Sequence, residues 1–116
     1  KTPINIMGDA AFGMAGLDLE TAVRANLGTI TIVLNNGVMT HYYDHFPLAT
    51  ENWKSNELGG NYAEIATSLG AHGERVSDPK DIVPAVNKAM QIAKEGQPSL
   101  IEIITKEEEN VSDYGK

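Results

Sequence analysis

Two polar groups of residues follow apolar stretches of the chain, and both carry oxygen atoms that could bind a metal ion. Asp9 comes soon after the apolar run 3–7, and Asn35 and Asn36 come directly after the run 29–34. A carboxylate and an amide oxygen are hard ligands of the kind that Mg²⁺ and Ca²⁺ take. Asp9 would supply charge, Asn36 a neutral oxygen, and a backbone carbonyl just after Asn36 a third ligand. Water and phosphate oxygens would complete the coordination, so these residues predict a site for a divalent cation and a phosphorylated ligand.

The residues after Asp9 suit the approach of a phosphate group. Ala10, Ala11 and Gly13 are small, so a phosphate can come close to the backbone. A helix is predicted to follow, and its first N–H groups and its dipole favour an anion. The formal net charge of −7 would by itself repel a diphosphate. A divalent cation that bridges the two anions removes this difficulty.

Four apolar runs rich in β-branched residues predict the strands that would position these groups. They cover 3–7, 29–34, 71–76 and 99–104, of which the third is the weakest. The second and fourth are apolar enough to be buried on both faces, as strands of a parallel sheet are. Helical patterns alternate with the runs, so we predict a three-layer α/β/α domain with a mainly parallel sheet of four strands. Ligands of such sheets bind beyond the carboxyl ends of the strands, where Asp9 and Asn36 are expected.

Three helices are predicted between the strands, over 17–27, 61–70 and 81–95. Gly28 would stop the first helix, and Asn61 would cap the second with its side chain. Asp81 is expected at the N-cap of the third, which puts Pro84 at a helical position where its missing N–H costs nothing. The segment 37–60 has no clean period and is predicted to be a long loop. A loop of that length in a compact domain is more often functional than idle.

Composition excludes several classes of partner and site. The chain has 116 residues, of which 41% are hydrophobic and 22% charged, as in an ordinary globular domain. The excess of acidic residues argues against nucleic acid and against an anionic membrane. There is no cysteine, which excludes disulfides and thiolate chemistry. No apolar run approaches the length of a membrane span and no signal peptide opens the chain, so a cytoplasmic location is expected.

The spacing of the polar groups resembles a known family signature. Gly8, Asp9 and Ala10 are followed, after 24 residues, by Asn35 and Asn36. This arrangement is similar to the Gly-Asp-Gly or Gly-Asp-Ala triplet and the later Asn-Asn pair of thiamine-diphosphate-dependent enzymes. Gly60 to Thr105 also resembles the later half of that family's diphosphate-binding domain. By pattern, the chain is most similar to the acetolactate synthase-like decarboxylases and carboligases.

The resemblance implies thiamine diphosphate and Mg²⁺ as cofactors and gives roles to individual residues. Asp9, Asn36 and the carbonyl of Val38 would be the magnesium ligands. Three residues would line the diphosphate, namely Gly8, Ala10 and Ala11. Met39 and Thr40 would lie where the family's loop passes close to the cofactor. The binding domain is expected over 1–105, followed by a C-terminal tail over 106–116 in which Glu107, Glu108 and Glu109 are solvated.

The resemblance also implies parts of an enzyme that lie outside these residues. In the family, the cofactor binds between this domain and a pyrimidine-binding domain that carries the catalytic glutamate, usually on a second subunit of a homodimer or homotetramer. The family's diphosphate-binding domain also has a strand and a helix before the position of Lys1, and these are expected outside these residues. The substrate would be a small 2-oxo acid or a related thioester, and the isolated chain is expected to be inactive. Tyr42 stands where some pyruvate decarboxylases carry an acidic residue, and the Gln-Trp pair of acetohydroxyacid synthases is lacking, so the substrate stays open.

Other interpretations of the same residues remain open at this point. Residues 11–16 resemble a dinucleotide fingerprint that lacks its first glycine, although a Rossmann-like oxidoreductase domain would favour an acidic residue where Asn35 and Asn36 stand. A non-catalytic flavodoxin-like module is the third possibility. His41 and His45 could bind zinc if they lay on one helix with a third ligand; the favoured alternative is that they face the mouth of the active site or solvent.

Several aromatic and histidine side chains outside the two polar groups also need an interpretation. Three aromatic residues, Trp53, Tyr42 and Tyr43, would either line a substrate cavity or pack against another domain. The second is the default, since exposed aromatic side chains mark interaction surfaces. His72 is predicted to be structural.

Overall fold

The computed structural model describes residues 1–108, which form four strands and six α-helices. In chain order the elements are β1 (Ile4–Gly8), α1 (Asp9–Ala15), α2 (Asp18–Arg24), β2 (Ile30–Asn35), α3 (Tyr42–His45), α4 (Pro47–Trp53), α5 (Tyr62–Ser68), β3 (His72–Val76), α6 (Ile82–Lys94) and β4 (Ser99–Ile104). A single 3-10 turn over Pro79–Asp81 leads into α6. All four predicted strands are confirmed to within one residue at each end.

The strands form one parallel sheet in the order β1-β2-β4-β3. The two most apolar strands, β2 and β4, are therefore the central pair, in agreement with the prediction that both of their faces are buried. Gly8 at the end of β1 pairs with Leu34 of β2, and Leu34 pairs with Ile103 of β4. The ends of these three strands consequently lie side by side at one edge of the sheet, which is the edge where ligands of parallel sheets bind.

Helices cover both faces of the sheet and enclose two separate apolar cores. Side chains of α1, α2 and α5 meet the sheet on one face, in the cluster Phe12, Leu19, Val33, Tyr62, Ala66, Ala71 and Leu100. On the other face α6 packs through alanines, in the cluster Ile30, Val76, Ala85, Ala89, Ala93 and Ile101. The predicted three-layer α/β/α architecture is thus confirmed.

A close approach between α5 and β3 depends on one glycine. A Cβ atom at Gly73 would overlap the carbonyl oxygen of Ala63 and would come within 2.7 Å of the Thr67 hydroxyl. Glycine at this position therefore lets the helix lie directly against the strand. Asn61 fixes the start of the same helix, because its side chain accepts a hydrogen bond from the backbone N–H of Glu64 at 3.1 Å. The predicted cap is confirmed.

Helix boundaries differ from the prediction in two places. Helix α2 ends at Arg24 instead of at Leu27, because Asn26 adopts the left-handed conformation with φ of 52°. Asp81 precedes α6 as expected but makes no capping bond with its side chain. Asp78 does the capping one turn earlier, by accepting a hydrogen bond from the N–H of Lys80 at 3.0 Å.

The segment 37–60 was predicted to be a loop and instead contains two helices, α3 and α4. Neither helix has a buried residue. Their sequences therefore lack the regularly spaced apolar residues by which amphipathic helices are recognised. Pro47 begins α4, a position that proline favours. Within residues 1–108, no helix is long and apolar enough to cross a lipid bilayer. The cellular location stays a prediction.

Candidate functional site

The carboxyl ends of β1 and β2 bring Asp9 and Asn36 to one cleft. Asp9 is the first residue of α1, a helix that begins directly at the end of β1, and it is only 3% exposed. The sequence pattern predicts small residues there but no helix before 17–27. Because α1 begins at Asp9, the residues after it are packed into a helical turn beside the cleft.

Both carboxylate oxygens of Asp9 are oriented by backbone N–H groups. Oδ2 accepts a hydrogen bond from the N–H of Gly37 at 2.9 Å, and Oδ1 accepts one from the N–H of Ala10 at 2.9 Å. An ionised carboxylate offers roughly four lone-pair positions. The carboxylate is therefore held in place while it retains capacity for a cation.

The side chain of Asn36 is oriented at both of its ends. Its Nδ2 donates to the hydroxyl of Thr40 at 3.3 Å, and its Oδ1 accepts from the N–H of Val38 at 3.1 Å. An amide oxygen has two lone pairs, so Asn36 Oδ1 can still bind a metal ion. Thr40 thus orients the amide, in addition to lining the cleft.

The backbone around Val38 is held by an isolated antiparallel bridge to Glu57. The bridge uses the groups of the flanking residues: the N–H of Met39 donates to the carbonyl of Asn56 at 2.8 Å, and the N–H of Leu58 donates to the carbonyl of Gly37 at 2.8 Å. This pairing leaves the carbonyl oxygen of Val38 outside the bridge. The predicted third ligand is therefore available as an acceptor.

A cleft of about 590 Å³ lies at this edge of the sheet. Every predicted cofactor residue lines it, namely Gly8, Asp9, Ala10, Ala11, Asn36, Val38, Met39 and Thr40. Five further residues that were not predicted line it as well, namely Met14, Leu34, Thr105, Lys106 and Glu108. The residues after β4 reach the cleft because β4 lies beside β2, an order that alternation of elements alone does not give. Residues 109–116, including Glu109, lie outside the described residues.

Glu102 is a buried charge that sequence analysis missed. It is fully buried in β4, where Oε1 accepts from Asn35 Nδ2 at 2.7 Å and from Arg75 Nη2 at 2.8 Å, while Oε2 accepts from the N–H of Ala63 at 3.0 Å. Burial raises the pKa of this carboxyl, but the hydrogen bonds from Arg75, Ala63 and Asn35 outweigh it, and the pKa lies below its ordinary value. The available signal was a single glutamate inside the apolar run 99–104.

The donor set at the cleft fits a magnesium ion that carries a diphosphate. It consists of one carboxylate, one amide oxygen and one backbone carbonyl, and Mg²⁺ in such sites keeps its other positions for water and phosphate. In the described part of the chain, no cluster of three His, Cys, Asp or Glu side chains could hold a metal. His41 precedes the single turn of α3, His45 is the last residue of that turn, and His41 lies 3.6 Å from Asp44. The zinc hypothesis therefore gains no third ligand among residues 1–108.

Aromatic residues of segment 37–60 differ in how they relate to the cleft. Tyr42 lines it. Trp53, by contrast, is 76% exposed, and Tyr43 and Phe46 are exposed by more than half. His72 Nε2 lies within hydrogen-bond distance of Glu74 Oε2, at 3.1 Å. Both residues are among the first three of β3, away from the cleft at the carboxyl ends of the strands.

The fold and the cleft together define a cofactor-binding domain of the α/β class, in which a carboxylate and an amide meet at the ends of parallel strands. The chain matches the family described as "Thiamine pyrophosphate enzyme, C-terminal TPP binding domain" over residues 1–103. It belongs to that family. The resemblance seen in the sequence is confirmed, and the dinucleotide-binding and flavodoxin-like alternatives are set aside.

Similar proteins include several enzymes of different names. The chain is 32% identical over 109 residues to the acetolactate synthase large subunit IlvG of Mycobacterium tuberculosis, an alignment that covers 86% of this chain and 18% of the relative. It is 28% identical over 116 residues to human 2-hydroxyacyl-CoA lyase 1, covering 87% of this chain and 19% of that protein. The chain thus spans about a fifth of the length of these relatives.

A solved structure has the same fold. The thiamine diphosphate-dependent 4-hydroxybenzoylformate decarboxylase of Rhodococcus jostii RHA1 matches with a TM-score of 0.74, over 95% of this chain and 21% of that chain. The sequence identity is 19%, so this likeness shows the fold alone.

Proposed function

We propose that residues 1–105 form the magnesium- and diphosphate-binding half of the active site of a thiamine-diphosphate-dependent decarboxylase or carboligase. The observation that carries the proposal is that Asp9, Asn36 and Val38 line one cleft. The turn after β2 also holds the Asp9 carboxylate through the N–H of Gly37 and the Asn36 amide oxygen through the N–H of Val38. Membership of the family supports thiamine diphosphate as the ligand. Magnesium is inferred from the chemistry of the three oxygen donors.

Each lining residue has a distinct role in this proposal. Asp9, Asn36 and Val38 would bind the metal ion, which in turn binds the diphosphate. Gly8, Ala10 and Ala11 would let the diphosphate approach the backbone where β1 passes into α1. Met39 and Thr40 would lie beside the cofactor, with Thr40 also holding the amide of Asn36. The half-site thus binds and orients the cofactor.

The substrate class is a small 2-oxo acid or a related acyl thioester. Bound thiamine diphosphate supplies an electron sink for cleavage or formation of a bond next to a carbonyl carbon. The names of the similar proteins, which include acetolactate synthases and a 2-hydroxyacyl-CoA lyase, support carbon–carbon chemistry of this kind. Both decarboxylation and carboligation remain within the proposal.

The second half of the active site would come from a pyrimidine-binding domain that carries the catalytic glutamate, in a homodimer or homotetramer. The chain spans only 18% of its relative IlvG, which leaves room for such a domain in the relatives' architecture. Exposed apolar side chains on α4 and directly before it, such as Phe46, Leu48 and Trp53, offer a surface for it. Residues 1–116 alone are accordingly expected to release no CO₂ from pyruvate; steady release would contradict this assignment.

Calorimetric titration of the intact protein with thiamine diphosphate tests the proposal. Binding is expected in the presence of Mg²⁺, and its loss is expected when EDTA replaces the metal. NAD⁺ and FAD are the matched controls, and neither should bind at the concentrations used for thiamine diphosphate. Binding of thiamine diphosphate that is equally tight with EDTA would contradict the metal-bridged arrangement.

A further inference from the structure

Glu102 is joined to the metal-binding cleft by a continuous series of hydrogen bonds. Its Oε1 accepts from Asn35 Nδ2 at 2.7 Å, and Asn35 Oδ1 accepts from the N–H of Gly37 at 3.1 Å. The same N–H donates to Asp9 Oδ2 at 2.9 Å. One backbone N–H group is therefore shared between the Asn35 amide and the Asp9 carboxylate.

The bond from Asn35 to Glu102 decides which way the Asn35 amide faces. A carboxylate only accepts hydrogen bonds, so it selects the orientation in which Nδ2 points to Glu102 and Oδ1 points to Gly37. In the opposite orientation the NH₂ group would face the N–H of Gly37, and two donors would oppose each other. Glu102 thereby keeps Asn35 Oδ1 in place as the acceptor for the N–H of Gly37, in the turn that carries Asn36 and Val38.

We propose that Glu102 is a positioning residue for the magnesium site and acts on it through Asn35 and the Gly37 turn. This inference rests on the proposed function, because it assigns Glu102 a role toward the metal that Asp9, Asn36 and Val38 would hold. Glu102 is fully buried and does not line the cleft. Partners that orient ligands in this way commonly change metal affinity by roughly 10- to 100-fold when they are replaced.

A purely structural role is the competing explanation. Glu102 also pairs with Arg75 at 2.8 Å and accepts from the N–H of Ala63 in the first turn of α5 at 3.0 Å. If these two contacts were its whole function, replacing Glu102 would lower stability and leave the affinity for Mg²⁺ unchanged. Metal affinity therefore separates the two roles, whereas stability does not.

The test is a calorimetric titration of Mg²⁺ into the intact protein at a fixed concentration of thiamine diphosphate, in excess over the protein. The variants are Glu102→Gln, Asn35→Ala and the double variant, each checked for folding by circular dichroism and by its Tm. The matched control is Glu74→Gln, which removes another ion-paired glutamate, bonded to Lys88 at 3.0 Å on β3. Asp9→Asn reports on the proposed metal site itself.

We expect Glu102→Gln and Asn35→Ala each to weaken Mg²⁺ binding roughly tenfold or more, while Glu74→Gln keeps the wild-type affinity. The double variant should bind Mg²⁺ as tightly as the single variant that has the lower affinity, because both replacements interrupt the same series of contacts. Two results would overturn the inference: a wild-type affinity for Mg²⁺ in Glu102→Gln, or a fold-loss of affinity in the double variant equal to the product of the two single losses.

Two further measurements keep the outcomes distinct. If Glu102→Gln does not fold, Glu102→Asp retains the charge but withdraws the carboxylate from Asn35. Weakened Mg²⁺ binding in that variant supports the inference and wild-type binding overturns it. If Asp9→Asn also binds Mg²⁺ like the wild type, the proposed function fails; if only Asp9→Asn loses affinity, the proposed function stands and the role of Glu102 fails.

Discussion

The backbone N–H of Gly37 donates a hydrogen bond to the carboxylate of Asp9 at 2.9 Å, across 28 positions of the chain. This bond ties the end of β1 to the turn after β2, the two places where the predicted metal ligands lie. A rigid scaffold holds both residues, because β1 and β2 pair directly up to Gly8 and Leu34. The oxygen atoms of the site are therefore arranged before a ligand arrives, which reduces the ordering that binding requires.

Removing the charge of Asp9 should abolish metal-dependent binding of the cofactor. Asp9→Asn retains the shape of the side chain but replaces an anionic ligand of Mg²⁺ with a neutral amide. We expect no calorimetric binding of thiamine diphosphate in the presence of Mg²⁺, with the circular dichroism spectrum unchanged. Asp18→Asn, at an exposed position of α2, is the matched control and should bind normally. Equal affinities in the two variants would remove Asp9 from the site.

The turn after β2 should not tolerate a side chain at Gly37. Its φ is 74°, and an alanine in this left-handed region costs roughly 1–2 kcal/mol. We expect Gly37→Ala to weaken cofactor binding by about tenfold, the equivalent of ~1.4 kcal/mol, because the turn shifts relative to Asp9. Gly59→Ala is the control, since a Cβ there meets nothing within 4 Å. Unchanged binding by Gly37→Ala would show that the turn is adaptable.

Stability should respond differently to two glycines. A Cβ at Gly73 would overlap the Ala63 carbonyl oxygen, so Gly73→Ala must push α5 away from β3. Overpacking of this kind costs about 1–3 kcal/mol, measurable as a lower urea midpoint. Gly13→Ala places its Cβ in open space within α1 and should be neutral or stabilising by up to about 1 kcal/mol. Equal midpoints for the two variants would contradict the close packing of α5 on β3.

The Glu102 carboxylate should make stability fall at acid pH. Its pKa is lowered in the folded protein, where the bonds from Arg75, Ala63 and Asn35 outweigh the effect of burial. The unfolded chain therefore binds the proton first, and the stabilisation is complete above the ordinary glutamate pKa of about 4.3 and is lost as pH falls through the lower folded value. Urea unfolding between pH 3 and pH 7, taken as approximate limits of the carboxyl range, should show this dependence.

The comparison with Glu102→Gln isolates that contribution. The variant cannot ionise at position 102, so its free energy of unfolding should change less between neutral and acid pH than that of the wild type. At neutral pH it should be less stable, because a carboxamide cannot accept from all three donors; one unsatisfied buried donor costs about 1–3 kcal/mol. Parallel pH profiles for wild type and variant would contradict an ionised Glu102 in the folded state.

Much of the site was predictable because two strong patterns agree. The apolar runs 29–34 and 99–104 indicate buried strands, and alternation with helices makes the sheet parallel, which brings Asp9 and Asn36 to one edge. The order of strands was not predictable from these patterns. For that reason the contribution of Thr105 and Lys106 to the cleft was missed.

The missed helices share a physical cause. Helix α1 buries only Asp9 and Phe12, and α3 and α4 bury no residue at all. Helices that present no continuous apolar face leave no period in the sequence. Glu102 was missed for a related reason: one glutamate in an apolar run is also what a half-exposed strand would show, and its partner Arg75 lies 27 positions away.

A crystal structure of the intact protein with Mg²⁺ and thiamine diphosphate tests the central claim most directly. We predict a metal ion about 2.0–2.1 Å from a carboxylate oxygen of Asp9, from Asn36 Oδ1 and from the carbonyl oxygen of Val38, the distances that Mg²⁺ requires. The diphosphate should complete its coordination in the cleft. A metal ion bound elsewhere, or a diphosphate that lies in the cleft with Asp9 and Asn36 both out of contact with the metal, would contradict the account.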